Sequence, residues 1–254
     1  MLYLKNKPQS SLDNFKRFNA SDWDEFKKHI TYKLVNKKVF HADENNENVI
    51  YDDCLDLSKV YMVTELSEDR KSIKSYPIKE EDLERFNKSI DDIVVACKEN
   101  FNKDKHRRIR TMKEDILSRE TLYPLMANKE NAMLNGANGF IEDKSESHDN
   151  VLIVTNKFNV FGASYMFDRN TLKTVYERMN GDFYILPLSA DSIMCVNAKY
   201  IMRDKDMYEA EDDLLDMLFN MNEQVKEPSN ILSYKIYKYI KDDGEVLVPI
   251  KQQL

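Results

Sequence analysis

The chain has 254 residues, 42% of them apolar and 11% aromatic, enough to bury a sizeable core in one large domain or two small ones. Its 45 acidic and 38 basic residues leave a formal charge of −7 and a pI near 5.3, which works against non-specific attraction to nucleic acid or anionic membrane. Charges are interspersed throughout, and no apolar run approaches the roughly 18–20 residues that span a bilayer, so a soluble protein with no membrane partner is expected.

The opening stretch, MLYLKNKPQSSLDNF, lacks the basic start, apolar centre and cleavage site of a secretory signal, so a cytoplasmic location is expected. Residues 1–48 read as an N-terminal helical segment. In SDWDEFKKHITYKLVNKK, Ser21 precedes Asp24 by one capping interval, and Trp23, Phe26, Ile30 and Leu34 form one stripe.

From 49 to 118 the pattern is strand, strand, helix, strand. The strands at 60–66 and 72–78 are joined by the charged loop SEDRK, and the helix that follows carries Leu83, Phe86, Ile90, Ile93, Val94 and Cys97 on a buried face, with a break at Asn87-Lys88-Ser89. The strand RRIRTM and a short helix KEDILS close this unit. Residues 119–150, rich in Asn-Gly pairs and polar side chains, read as a linker or exposed loop.

The segment 151–254 reads as a second copy. VYMVTEL at 60–66 matches VLIVTNK at 151–157, and SYPIKEEDL at 75–83 matches SYMFDRNTL at 164–172, in the same order and with nearly the same gap. The second copy places Gly162 in a hairpin between two core strands, follows it with a helix at 170–179 ended by Asn180-Gly181, and continues with FYILPL and SADSIMCV. A long amphipathic helix and a hairpin turning at Asp243-Gly244 complete the chain. On that helix Met207, Ala210, Leu214, Met217, Leu218 and Met221 face inward, and Glu209, Asp212, Asp213 and Asp216 face outward. The expected fold is therefore α+β: two pseudo-repeated β-β-α-β units packed as one body, flanked by an N-terminal helix and a C-terminal helix plus hairpin.

The runs DCLDLSKVYMVTEL, VLIVTNKFNVFGASYMF and GDFYILPLSADSIM resemble a firmicute, clostridial family classed only as a domain of unknown function, number 5688 in that series, over about residues 51–248. The resemblance implies a fold and a setting in mobile genetic elements. It implies no reaction and no catalytic residue.

No catalytic residue, cofactor or metal site is expected from the residues themselves. The four histidines lack HExxH or HxH spacing, the three cysteines form no CxxC pair, and five glycines are too few for a Gly-rich phosphate loop. Asp143, Glu146, His148 and Asp149 read as a solvated loop, Asp204 and Asp206 lack the rest of a calcium loop, and Cys195 reads as an inert buried thiol.

Three surfaces stand out as binding candidates. The basic segment KDKHRRIR holds Lys103, Lys105, Arg107, Arg108 and Arg110; with Ile109 facing the core, Arg108 and Arg110 share the outer face and could hold phosphate, an acidic partner or nucleic acid, although an edge strand blunted by charge against aggregation is the favoured account. The acidic residues Glu209, Asp212, Asp213 and Asp216 could imitate a phosphate backbone toward a basic partner. A cleft between the two units could be lined by Asn156, Asn159 and Tyr165. The leading expectation is a non-enzymatic module of a mobile element that binds a bacterial protein, such as an inhibitor of a host defence system. The alternatives are a ligand sensor or enzyme with its site between the units, and nucleic-acid binding through 103–110.

Overall fold

The computed structural model describes residues 22–66, 73–115, 149–227, 230–241 and 246–249. Asp22 caps a single turn, α1 (Trp23–Phe26), by accepting from Glu25 N at 2.9 Å; a 3₁₀ turn leads into β1 (Ile30–Asn36). The long helix expected here is thus one turn followed by a strand. Ile30, Tyr32 and Leu34 are buried in alternation, so a period of two prevails over the three-and-four spacing that Trp23, Phe26, Ile30 and Leu34 also satisfy. Ser21 lies outside the described residues.

Asn36 caps α2 (Lys37–Ala42). β2 (Tyr51–Cys54), β3 (Leu57–Leu66) and β4 (Ile73–Pro77) complete a four-stranded sheet built on β3. One edge of β3 pairs antiparallel with β1 from Ile30↔Val63 to Asn36↔Leu57; its other edge takes β2 at Tyr51↔Val60 and then β4 at Leu66↔Ile73. The hairpin predicted around SEDRK is therefore formed by β3 and β4, although 67–72 lie outside the described residues. The predicted helix break is also present: α3 (Glu80–Phe86) ends at Asn87 in the left-handed region (φ 50°), and Ser89 caps α4 (Ile90–Lys103). Ile90, expected on the buried face, is exposed at the first position of α4.

RRIRTM forms the predicted strand, β5 (Arg107–Thr111), but it does not close the first unit. It pairs with β6 (Val151–Asn156) at the edge of a six-stranded antiparallel sheet whose order is β10 (Val246–Pro249), β9 (Tyr237–Ile240), β7 (Phe183–Ser189), β8 (Ser192–Asn197), β6, β5. After β6 the expected second strand is absent, and 162–167 form a 3₁₀ helix. The cause is local. Asn159 and Phe161 adopt left-handed φ of 50° and 58°, and Asn156 folds the loop on itself by donating to Val160 O at 2.6 Å. Gly162 therefore opens a 3₁₀ turn instead of sitting in a hairpin; a Cβ there would lie 2.3 Å from Asp191 O and 2.7 Å from Thr155 Cα. Glycine is needed there for close backbone approach.

α5 (Arg169–Met179) ends at Asn180 (φ 52°) followed by Gly181, as predicted. β7 (Phe183–Ser189), β8 (Ser192–Asn197), α6 (Ala198–Ile201), α7 (Met207–Glu223), β9 (Tyr237–Ile240) and β10 (Val246–Pro249) follow. β9 and β10 pair antiparallel as the predicted terminal hairpin requires, in the register Val246↔Ile240, and the expected turn at Asp243-Gly244 lies outside the described residues.

The fold is mixed α+β with two antiparallel sheets that share one core. Tyr32, Leu34, Tyr61 and Val63 of the first sheet pack with Leu152, Phe183, Ile185 and Tyr237 of the second, joined by Ile93 and Cys97 of α4 and Val175 of α5. The opposite face of the six-stranded sheet is covered by α6 and α7, and a smaller cluster of Phe40, Val49, Val60 and Met62 lies on the other face of the first sheet.

Candidate functional site

Helix α7 is anchored by Asp206, whose carboxylate accepts from Glu209 N at 2.9 Å, and by burial of Ala210, Leu214, Met217 and Leu218 against the six-stranded sheet. Glu209, Asp212, Asp213 and Asp216 are all exposed, as the helical spacing predicts, while Met207, expected inward, is exposed as well. Sequence reasoning missed two aromatic residues among those acids: Tyr208 is 60% exposed and Phe219 is 54% exposed. At 100° per residue, Tyr208, Asp212, Asp216 and Phe219 fall on one side of the helix. Asp213 lies toward the flank, where Lys205 pairs with it. Glu209, Asp212 and Asp216 make no ion pair among the described residues, so the face is an acidic surface with an aromatic at each end. Eleven residues of separation, three helical turns, was the sequence signal for it.

The basic segment is largely engaged in holding the fold. Lys103 pairs with Glu99 at 3.2 Å, and Lys105 is exposed beyond the end of α4. Arg107 Nη1 donates to Asp168 Oδ2 and to Thr171 Oγ1, both at 3.0 Å, which ties β5 to the start of α5. Arg108 Nη1 donates to Arg107 O at 3.0 Å, and Arg110 lies 3.9 Å from the buried Asp115. Ile109 packs against the inter-sheet core, so Arg108 and Arg110 do share the other face of β5. His106 O accepts from Lys157 N, which by antiparallel alternation turns the Ile109 carbonyl off the sheet; Arg178, paired with Asp149 at 2.7 Å, donates to that carbonyl at 2.6 Å. This is a sheet edge closed by arginine.

Asn156, Asn159 and Tyr165 are each used within the fold. Asn156 Oδ1 accepts from Phe158 N at 2.9 Å, and Asn159 accepts from Thr155 Oγ1 at 3.4 Å, both in the turn after β6. Tyr165 is turned away from them: its hydroxyl donates to Asp104, and its ring meets Phe101 edge-on at 5.6 Å. Burial and the Asp104 carboxylate push its phenol pKa up, so it stays neutral. Between the sheets, the Tyr32 hydroxyl donates to Ser164 O at 2.7 Å inside a packed core.

A groove of about 460 Å³ opens at the end of the first sheet, lined by Phe40, His41 and Tyr51 and by Asp43, Glu44 and Glu47. Sequence reasoning did not find it, because β2 pairing brings its parts together. Asp53 anchors its polar side: it accepts from Ser58 Oγ at 2.7 Å, meets His41 Nε2 at 3.1 Å and pairs with Lys37 at 2.9 Å. Burial pushes the Asp53 carboxyl up, but the contacts with Ser58, Lys37 and His41 outweigh it and hold the group at about 2. Ser58 is fully buried and His41 meets the carboxylate instead of the hydroxyl, so this trio has the wrong order for a nucleophilic triad.

Burial raises the pKa of all three thiols, the part-buried Cys54 included. Cys97 and Cys195 are buried, and burial pushes Cys97 up to about 12 and Cys195 higher still. Burial lowers the Lys33 ammonium pKa on β1, with the Asp191 charge acting in the opposite direction. Among the described residues no three His, Cys, Asp or Glu side chains converge to hold a metal ion. Of the acidic loop set only Asp149 is described, and Asp143, Glu146 and His148 lie outside the described residues. No helix of the described residues is long and apolar enough to cross a membrane.

Two antiparallel sheets sharing one core, with the acidic helix α7 packed on the larger, define an α+β protein. The chain belongs to the family described as "Family of unknown function (DUF5688)", whose model matches residues 1–241, including the N-terminal segment before the first sheet. No curated protein and no solved structure matches it.

Proposed function

We propose that the protein is a non-enzymatic interaction module that binds a basic protein surface through the Tyr208 to Phe219 face of α7. The observation that carries this reading is the exposure of two aromatic side chains on the same helix side as carboxylates that make no ion pair among the described residues. Exposed aromatics are the residue type that anchors interfaces when desolvated, and a rim of like charge selects and steers a partner of the opposite sign. Helix α7 is held rigid by its cap and its buried face, so little order is lost on docking. The sharpest form of the idea follows from the mobile-element setting of the firmicute proteins that the sequence resembles: a cytoplasmic bacterial defence protein whose basic nucleic-acid groove is occupied by this acidic helix.

The test is capture from a nuclease-treated clostridial lysate by the wild-type chain and by a Tyr208→Ala/Phe219→Ala variant, followed by mass spectrometry. A stoichiometric protein retained by the wild type, lost with the variant and released by salt supports the reading. Identical captures by both, with the variant's helicity intact by circular dichroism, would sink it. Nucleic-acid binding through 103–110 ranks lower, since Lys103, Arg107 and Arg110 already meet carboxylates.

A further inference from the structure

The groove at the end of the first sheet is separate from the α7 face. Its floor is three aromatic rings in mutual contact at steep angles: Phe40 and Tyr51 have centroids 5.0 Å apart at 66°, His41 and Tyr51 5.1 Å at 83°, and Phe40 and His41 5.6 Å at 79°. Tyr51 is 40% exposed, while Phe40 is buried in the cluster with Val49, Val60 and Met62 and so fixes the corner. The rim is acidic: Asp43, Glu44 and Glu47 line the same groove, and Glu44 and Glu47 make no ion pair among the described residues. Lys37, at the start of α2, is held by Asp53.

The rim is also built in place. Asn46 Nδ2 donates to Phe40 O at 2.9 Å, which ties the acidic loop back to the end of α2. Glu80 N donates to Asn48 O at 3.0 Å, which ties its far end to α3, and Val49 bridges to Lys79. The carboxylates therefore project from a loop pinned at both ends against the aromatic corner.

We infer that this groove binds an organic cation, an alkylated ammonium group, with the cation against the Tyr51 ring beside His41 and the charge answered by Glu44 and Glu47. Aromatic faces attract a weakly hydrated cation through the ring quadrupole, and carboxylates at the rim add the Coulomb attraction without a large desolvation cost. A metal ion does not fit this wall, since no set of three ligating side chains converges among the described residues. The same headgroup could come from a free small molecule or from the methylated lysine of a peptide.

The experiment titrates tetramethylammonium chloride, against potassium chloride at matched ionic strength, into the full chain while following the aromatic NMR resonances of His41 and Tyr51. The expected result is saturable shifts with tetramethylammonium and none with potassium. Tyr51→Ala should weaken binding about fivefold or more, Tyr51→Phe should retain it, and Glu44→Gln with Glu47→Gln should weaken it about threefold. Equal responses to the two salts, or a folded Tyr51→Ala variant that binds as the wild type does, would overturn the inference. Choline and a trimethyl-lysine peptide then distinguish the sources: tighter binding of the peptide assigns the headgroup to a partner protein, and equal binding assigns it to a free ammonium compound.

Discussion

The hydroxyl of Tyr237 on β9 donates to Asp56 Oδ1 at 2.6 Å, across 181 residues of sequence. Asp56 lies in the turn between β2 and β3, and its other carboxylate oxygen accepts from Ser233 Oγ, also at 2.6 Å. This one carboxylate thus ties the edge of the four-stranded sheet to the segment that enters the six-stranded one. Burial, with Asp56 beside it, pushes the Tyr237 phenol pKa up and keeps it a neutral donor.

Replacing Tyr237 by Phe leaves the ring in the core and removes only the donor. The expected loss is about 1–3 kcal/mol, because a part-buried carboxylate loses a charge-assisted partner. Urea unfolding followed by the fluorescence of Trp23, the single tryptophan, reads it as a lower midpoint with an unchanged slope. An unchanged midpoint would show that the inter-sheet tie contributes nothing to stability.

Arg107 and Arg108 are neighbours with different burdens. Asp168 is nearly buried and also accepts from Thr171 N at 2.9 Å at the first turn of α5, so Arg107→Ala strands a carboxylate and should cost about 2–3 kcal/mol. Among the described residues Arg108 donates to nearby backbone carbonyls, so Arg108→Ala should stay within about 0.5 kcal/mol. Thermal melting of the two variants side by side decides the matter; equal losses would contradict it.

Gly162→Ala places a methyl group where Asp191 O stands 2.3 Å away and backbone must move. A loss of at least about 3 kcal/mol is expected, with the turn between β7 and β8 displaced. A variant as stable as the wild type would show that the turn yields without cost.

Asp53 gives a pH dependence with a defined sign. Its folded pKa, about 2, lies below the ordinary 3.8, so its contribution is complete above that ordinary value and is lost as the pH falls from about 4 toward 2. Asp53→Asn should flatten that part of the stability profile and release His41 and Lys37. Identical acid unfolding of the two proteins would rule out the carboxylate as a contributor.

Much of this architecture was legible where one period ruled one stretch. Helix α7 was readable because Ala210, Leu214, Met217 and Leu218 recur at helical spacing, and the break between α3 and α4 because Asn87 and Ser89 carry the stop and start chemistry. Legibility failed where two periods fit the same residues, as at Ile30 and Leu34, and where the preceding loop redirected the backbone, as at 162–167, which left-handed Asn159 and Phe161 turn into a 3₁₀ helix despite the match of 164–172 to 75–83. The groove was invisible for a different reason. Phe40, Tyr51 and Asp53 become neighbours only once β2 pairs with β3, and pairing is not written in either segment alone.

Strand β3 takes β1 along one edge and β2 and β4 in succession along the other, with Tyr61 and Val63 directed to the shared core and Val60 and Met62 to the cluster around Phe40. A single inserted residue between Leu57 and Leu66 would exchange those two faces and spoil three pairings together. The chain is therefore free to lengthen over evolutionary time in the connections that leave β3, and closed to lengthening within it; variation in length among its relatives should collect at the turns and leave this ten-residue stretch at constant size.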